Sequence, residues 1–502
     1  MYFERREFPR VAPEAVGISS KTIDRFVSAL EQPHTQMHGL MIMRHGKICA
    51  EGWWQPYAPG KRHTCHSLTK TYMGTAIGIA RREGLLDLDD RLIDIFPEFR
   101  EEATIKTVTL RHILCMGSGV VTMPSSSEHW IRDFFAQPQV HEPGTAFFYN
   151  SAGSTLLAFV IERVSGLPVY EYLKSRLFDK IGIDAQVSFP NQVAPEDDLW
   201  GHRMQATTED NLRLMKLYLD GGTVDGERIL DEDYVAMATS LQNASATESR
   251  VNPAATDNFV GYGFQMWMCT YPGVYRADGA GGQFSVVIPS LDMIVSITES
   301  AVGAAGAQHT LDCIWDVLLP EVAPQALAAD PQAHTALLNR LSRLSLPAPL
   351  YRPLGRCADD ANGKTYSLTQ GTFDLYCSES MSKAAPGDSG GTLCFSFGAQ
   401  SGQLLWNANR HSVRMDFGLD GSWRRNEFPI PFCNATECYA AGNWTSDCDL
   451  DLVVFWTQAV LEKHLTFHFE GTQLVITGKT DYMPGNPQTG KDVCAHAQRL
   501  PQ

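Results

Sequence analysis

Ser67 and Lys70 stand three residues apart in HSLTKTYMGTAIGIARREG, residues 66–84, at the head of a small-residue and apolar run with helical character. A serine hydroxyl is a weak nucleophile until a base takes its proton, and an ammonium ion cannot be that base. The lysine occupies the first turn, where the helix dipole repels a cation. Burial among Met73, Ala76, Ile77, Ile79 and Ala80 adds a desolvation cost to the charged form. Both effects push toward the neutral amine that a base requires. The i, i+3 spacing puts hydroxyl and amine on one helix face. The unpaired N–H groups of the first turn point at whatever Ser67 attacks. Arg81, Arg82 and Gly84 sit at the opposite end, where cations and a glycine cap belong.

Two later stretches supply the other parts of such a site. EPGTAFFYNSAGSTLLAFVIERVSG, residues 142–166, reads as a Pro-Gly turn, an aromatic run and then a helix. Tyr149 within it is placed to carry a proton between the serine and a leaving group. In YRADGAGGQFSVVIPSLDMIVSIT, residues 275–298, Gly279, Gly281 and Gly282 open a strand. Glycines at a strand edge let a ligand approach the backbone, so an N–H there can complete an oxyanion hole.

S-x-x-K on a helix, a tyrosine motif and a Gly-rich strand entry, in that order, resemble the class C β-lactamase-related serine hydrolases. That group includes penicillin-binding DD-peptidases, esterases, D-aminopeptidases and 6-aminohexanoate-dimer-type hydrolases. IKTVTLRHILCMGSG, EPGTAFFYNSAG, MQATTEDNLRLMKLYLDGGTVDGERIL and GYGFQMW extend the resemblance through most of the first 320 residues. The resemblance implies an α+β fold, an antiparallel sheet flanked by helices with the site between sheet and helical region. It implies Ser67 as nucleophile, Lys70 as general base, Tyr149 as second acid/base, and an oxyanion hole from the N–H groups of Ser67 and Ala280. Substrate contacts fall to Ser151, Asp278 and Gly279, with no cofactor and no metal. Two positions depart from the family pattern. The tyrosine motif Tyr149-Asn150-Ser151 ends in serine rather than asparagine. Where β-lactamases and DD-peptidases place Lys or His to hold a substrate carboxylate, this chain has Ala277 followed by Asp278, which repels a carboxylate or attracts a cation.

Other motifs have plainer readings. A second S-x-x-K, Ser380 and Lys383, lies in the Ser/Gly-rich stretch Ser378–Gly391 with no apolar helix to desolvate its lysine. PGDSGGTLCF, beginning at Pro386, imitates a trypsin-like nucleophile loop, but that chemistry needs a histidine and an aspartate upstream on a double β-barrel. A hairpin loop is the simpler reading. Cys433, Cys438 and Cys448, with His464 and His468, fit no strong zinc spacing. His63, Cys65 and His66 read as loop or core residues beside the nucleophile, and Trp53, Trp54 and Trp267 as core.

The positioning elements follow from the pattern. Met37–Ala50 reads as two strands around a His45-Gly46 turn. Helices are expected at Thr69–Glu83, Thr155–Ser165, Val169–Leu177 and Thr208–Leu219, then strands at Phe264–Cys269, Gln283–Ile288 and Met293–Thr298, and a helix from His309 to Leu319. Strands at both ends with helices between them imply one sheet assembled from the termini of a domain covering residues 1–325. Residues 326–355 read as a Pro-rich connector with a helix near Thr335–Leu344. Residues 356–502 read as an all-β accessory domain, with strands such as Thr372–Cys377, Leu393–Phe397, Leu452–Trp456, Leu465–Phe469 and Gln473–Ile476.

At 502 residues the chain is too long for one ordinary core. Its 44% hydrophobic and 20% charged residues describe a globular protein. A formal charge of −16 argues against nucleic acid or an anionic membrane as partner. No apolar run approaches the roughly 18 residues of a membrane span. The N-terminal MYFERREFPRVAPEAVG carries no apolar signal core, and twelve scattered cysteines suggest reduced thiols, so a cytoplasmic location is expected. The expected activity is cleavage of a small ester or amide through an acyl-enzyme on Ser67. The alternatives are a non-catalytic ligand-binding protein on the same scaffold and a penicillin-recognising enzyme.

Overall fold

The computed structural model describes residues 7–124, 129–187, 204–373, 375, 391–408, 412–427, 437–482 and 491–501. The chain divides into two units, Met1–Trp54 with Ala58–Leu344, and Gln55–Tyr57 with Ser345–Gln502.

The first unit is built on a six-stranded antiparallel sheet. Its strands are β1 (Thr35–Arg44), β2 (Lys47–Trp53), β3 (Trp267–Met268), β4 (Tyr275–Gly279), β5 (Gln283–Ile288) and β6 (Met293–Ala301), in the spatial order β2-β1-β6-β5-β4-β3. The N-terminal hairpin therefore pairs with the last strand, Ile42 opposite Val295, and the sheet closes around everything between them in sequence. The β1–β2 turn has both central residues left-handed, His45 at φ 51° and Gly46 at φ 68°, which matches the twist of the flanking strands. Every residue of β5 and β6 is buried, so both sheet faces are covered. Helix α4 (Thr208–Leu219) covers one, where Ser296 Oγ donates to Thr208 O (3.0 Å). Helix α5 (Gly303–Cys313) covers the other, where Thr310 Oγ1 donates to Glu299 (2.9 Å).

The remaining helices of this unit include α1 (Ser20–Leu30), α2 (Thr69–Arg82), α3 (Ser151–Ser165) and α6 (Pro331–Leu341). Helix α2 is buried from Thr69 to Ala80, which is why its sequence is apolar and small on all sides. A Cβ at Gly78 would lie 2.5 Å from the Tyr234 ring. Leu156 and Phe159 of α3, with Ile113, Trp130 and Phe134, fill the helical core around it.

Several elements differ from the sequence pattern. Helix α3 begins at Ser151, four residues before its expected start, because Asn150 caps it. The strand expected over Phe264–Cys269 shrinks to β3, since Gln265 at φ 57° breaks the extended run. The Val169–Leu177 helix gives way after Leu173 to a wider turn at Lys174–Phe178, and another follows α5 at Ile314–Leu318. Helix α6 belongs to the first unit rather than to a free connector. Arg340 ties it to Asp24 and Glu31, each at 2.8 Å.

The second unit is an all-β barrel. Its strands are β7 (Thr365–Gly371), β8 (Thr392–Phe397), β9 (Ser401–Asn407), β10 (Ser412–Gly418), β11 (Arg424–Glu427), β12 (Glu437–Trp444), β13 (Asp449–Trp456), β14 (Leu461–Glu470), β15 (Gln473–Tyr482) and β16 (Lys491–Arg499). They run in the order β10-β9-β8-β7-β16-β15-β14-β13-β12-β11, and a bridge from Gly418 to Ala441 joins β10 back to β12. Alternate residues point inward, so Phe395, Trp406, Phe417 and Phe467 fill the interior. Thr372 and Phe373 lie outside any strand, and half of the strand expected at Thr372–Cys377, residues 374, 376 and 377, lies outside the described residues. So do Ser380, Lys383 and the Pro386–Gly390 loop. Cys357 and Cys448 form a disulfide across 91 residues, so the expectation of reduced thiols throughout does not hold at this pair. His464 pairs with Glu462 (2.7 Å) and His468 with Asp449 (2.6 Å), consistent with a solvated sheet face.

Candidate active site

Three walls meet at Ser67. The first is the turn His66–Leu68 that feeds α2. Cys65 N–H donates to Met204 O (2.9 Å), and Leu68 N–H donates back to Cys65 O (3.0 Å). His66 sits at φ 45°, a left-handed conformation that a non-glycine residue adopts only under restraint. This sharp turn leaves Ser67 half-buried, with its N–H free of any partner among the described residues. One turn on, Lys70 is only 7% exposed, and its Nζ donates to Ser67 Oγ at 2.9 Å. The i, i+3 geometry expected from the sequence is therefore present.

The second wall carries Tyr149. Its ring centroid lies 5.0 Å from Lys70 Nζ, the atom that is hydrogen-bonded to Ser67 Oγ. Burial raises the phenol above its ordinary value, Ser67 opposes the rise, and Asp278 and Glu248 add to it. Tyr149 thus holds its proton at neutral pH. The ring is held by stacking on Trp267 (5.5 Å, 10° between planes) and by an edge contact with Tyr262 (6.2 Å, 89°). Backbone support comes from Asn150, whose Oδ1 accepts the Gly153 N–H (3.1 Å) and whose Nδ2 donates to Thr122 O (3.2 Å). Ser151 opens α3 half-buried, with no side-chain hydrogen bond to Ser67, Lys70 or Tyr149 among the described residues.

The third wall is the end of β4. A Cβ at Gly279 would lie 2.2 Å from Cys65 O and 3.1 Å from Leu68 N, so only glycine lets this strand touch the nucleophile turn. Gly281 and Gly282 then turn the chain at φ 75° and 87°. Gln283 Nε2 braces the turn through Ala280 O (3.3 Å) and Glu299 O (2.6 Å). Ala280 is exposed, and its N–H has no partner among the described residues. On the same face of β4, Asp278 Oδ2 pairs with Arg276 Nε at 2.8 Å. Burial raises the Asp278 carboxyl, Arg276 lowers it, Asp257 raises it and Lys70 lowers it, with a net rise.

Behind the nucleophile lie residues with structural roles. His63 is buried and hydrogen-bonded to His38 Nδ1 through its Nε2 (2.8 Å) and to Thr64 O through its Nδ1 (2.9 Å). Burial pushes His63 down to about 4 and His38 well below its ordinary value. Cys65 Sγ donates to Asn211 Oδ1 (3.7 Å), which also accepts from the Tyr72 hydroxyl (3.0 Å). Sequence reasoning missed Arg276 and Glu248; it read Trp267 as core, where the structure places it, without its stacking on Tyr149. Arg276 had one available signal, since it lies two residues before Asp278 and therefore on the same strand face.

Residues 23–311 match the family model described as Beta-lactamase. The chain belongs to the beta-lactamase family. Its relatives in that family include the 6-aminohexanoate-dimer hydrolase of Paenarthrobacter ureafaciens, 23% identical over 282 residues, covering 51% of this chain and 70% of the relative. Penicillin-binding protein 4 of Amycolatopsis lactamdurans is 25% identical over 309 residues, covering 52% and 79%. Among solved structures, the octameric penicillin-binding protein homologue from Pyrococcus abyssi superposes with a TM-score of 0.48 at 14% identity, covering 95% of this chain and 99% of that one. The beta-lactamase family match takes in all three walls of the site, which lie in the first unit.

Proposed function

We propose that this member of the beta-lactamase family is a serine hydrolase that cleaves a small ester or amide through an acyl-enzyme on Ser67. The observation that carries the reading is that Ser67 Oγ is hydrogen-bonded to the buried Lys70 Nζ (2.9 Å), which itself lies 5.0 Å from the Tyr149 ring centroid. A protonated phenol cannot begin the cycle as a base, so the first proton acceptor is the Lys70 amine. Lys70 takes the Oγ proton as Oγ attacks the carbonyl carbon, and the resulting oxyanion lies against the N–H groups of Ser67 and Ala280. Tyr149 gives its proton to the leaving oxygen or nitrogen and is reprotonated from Lys70. Water then attacks the ester carbon, with its proton returned through Tyr149 and Lys70 to the Ser67 oxygen. This use of a tyrosine on a separate stretch is the class C arrangement within the family. Ala277 and Asp278 in place of a carboxylate-binding cation favour an ester or amide over a penicillin. A fluorophosphonate probe tests the reading: wild type is labelled at Ser67 and Ser67→Ala is not. Failure to label correctly folded wild type would leave a ligand-binding protein instead.

A further inference from the structure

Strand β6 outruns its neighbour β5. Their pairing begins at Phe284 opposite Ile297, so Glu299, Ser300 and Ala301 run on beyond it, against the Gly279–Gln283 turn. Two backbone bonds shape that turn. Gly282 N–H donates to Gly279 O (3.2 Å), and Ala301 N–H donates to Gly281 O (3.0 Å). The buried Gln283 amide adds its ties to Ala280 O (3.3 Å) and Glu299 O (2.6 Å).

The Glu299 side chain completes the clamp. It is fully buried, and a Cβ at Gly282 would collide with its Oε1, so the carboxyl lies flush against the turn. Thr310, on α5, donates to both carboxyl oxygens at 2.9 Å and fixes their plane. Burial raises the carboxyl well above its ordinary value, and the Thr310 bond opposes the rise. A carboxyl buried without a counter-charge costs stability, so a position that keeps one calls for a use. Here its side chain bears on Gly282 and its carbonyl on Gln283, the two residues that follow the Ala280–Gly281 peptide.

We propose that Glu299, acting through Gly282 and Gln283, is a positioning residue that aims the Ala280 N–H at the oxyanion, and so serves the chemical step without touching substrate. The proposal rests on the hydrolase reading of the same site. A donor works in an oxyanion hole only if it is already in place when charge develops, and a glycine turn has no stiffness of its own to keep it there. The clamp from β6 and α5 supplies that stiffness.

The test compares a nitrophenyl ester with its thionoester, whose sulfur is a weak hydrogen-bond acceptor and gains little from an oxyanion hole. Glu299→Ala should lower kcat for the ester about 10-fold or more with KM little changed, and narrow the ester-to-thionoester rate ratio by the same factor. Glu299→Gln keeps the shape against Gly282 and an acceptor for Thr310, and should keep the wild-type ratio. Gln283→Leu cuts the tie from the other side and should narrow the ratio as Glu299→Ala does. A wild-type ratio in Glu299→Ala overturns the proposal, and so does an equal fall in Glu299→Gln. If Glu299→Ala does not fold, a wild-type ratio in Gln283→Leu overturns it instead. Fluorophosphonate labelling of wild-type Ser67 keeps the two readings apart: a labelled enzyme with unchanged ratios loses the clamp alone, whereas folded wild type that is not labelled loses the hydrolase reading and the clamp with it.

Discussion

Ser67 Oγ is bonded to the Lys70 amine, which lies 5.0 Å from the Tyr149 ring, and the division of labour proposed for amine and phenol is open to measurement. On the proposed mechanism Lys70→Ala leaves no first proton acceptor, whereas Tyr149→Phe keeps the aromatic stack on Trp267 and removes only the proton carrier. General acid–base groups contribute about 10²–10⁴-fold. Each substitution should therefore lower kcat/KM of an activated ester by that order, read from initial rates. The loss in Tyr149→Phe should be larger for nitroanilides than for nitrophenyl esters, because an amine leaving group needs the proton more.

At the scale of elements, the site depends on how α3 and β4 are delivered to α2. Asn150 ends the chain that carries Tyr149 and starts α3, so Asn150→Ala removes both the cap and the bond to Thr122 O. A lost cap costs about 1 kcal/mol, which a shift in urea midpoint would show, with a fall in activity as Tyr149 loses its support. Gly279→Ala places a methyl group against Cys65 O and Leu68 N. Overpacking of this kind costs about 1–3 kcal/mol, and because the clash falls on the nucleophile turn, activity should drop beyond what the stability loss explains.

The whole molecule carries its own titration signature. His63 is held near 4 in the folded protein against an ordinary 6.5, and His38 is lowered as well. Between those values the unfolded chain binds protons that the folded chain refuses, so stability is greatest above about 6.5 and falls as the pH drops toward 4. The difference for His63 is about 3 kcal/mol. Urea midpoints measured from pH 7 to 4 should decline in wild type and decline less steeply in His63→Gln. In the barrel, Cys357→Ser opens the loop of 91 residues closed by the disulfide, with an expected cost of about 2–4 kcal/mol seen in thermal unfolding.

The amino-acid sequence by itself singled out Ser67, Lys70 and Tyr149 as candidates and indicated the α+β and all-β division of the chain. These are set by local rules: i, i+3 spacing, strand alternation, turn residues and side-chain reactivity, all of which act over a few residues. Only the tertiary structure decided that Arg276 neutralises part of Asp278, that residue 279 must be glycine because it meets Cys65 O and Leu68 N, and that Trp267 in the core also stacks on Tyr149. Those facts depend on which surfaces meet after folding, and Coulomb and stacking energies depend on distances in space rather than along the chain. The pairing of Cys357 with Cys448 belongs to the same class, because a bond across 91 residues exists only where barrel closure brings two sulfurs together.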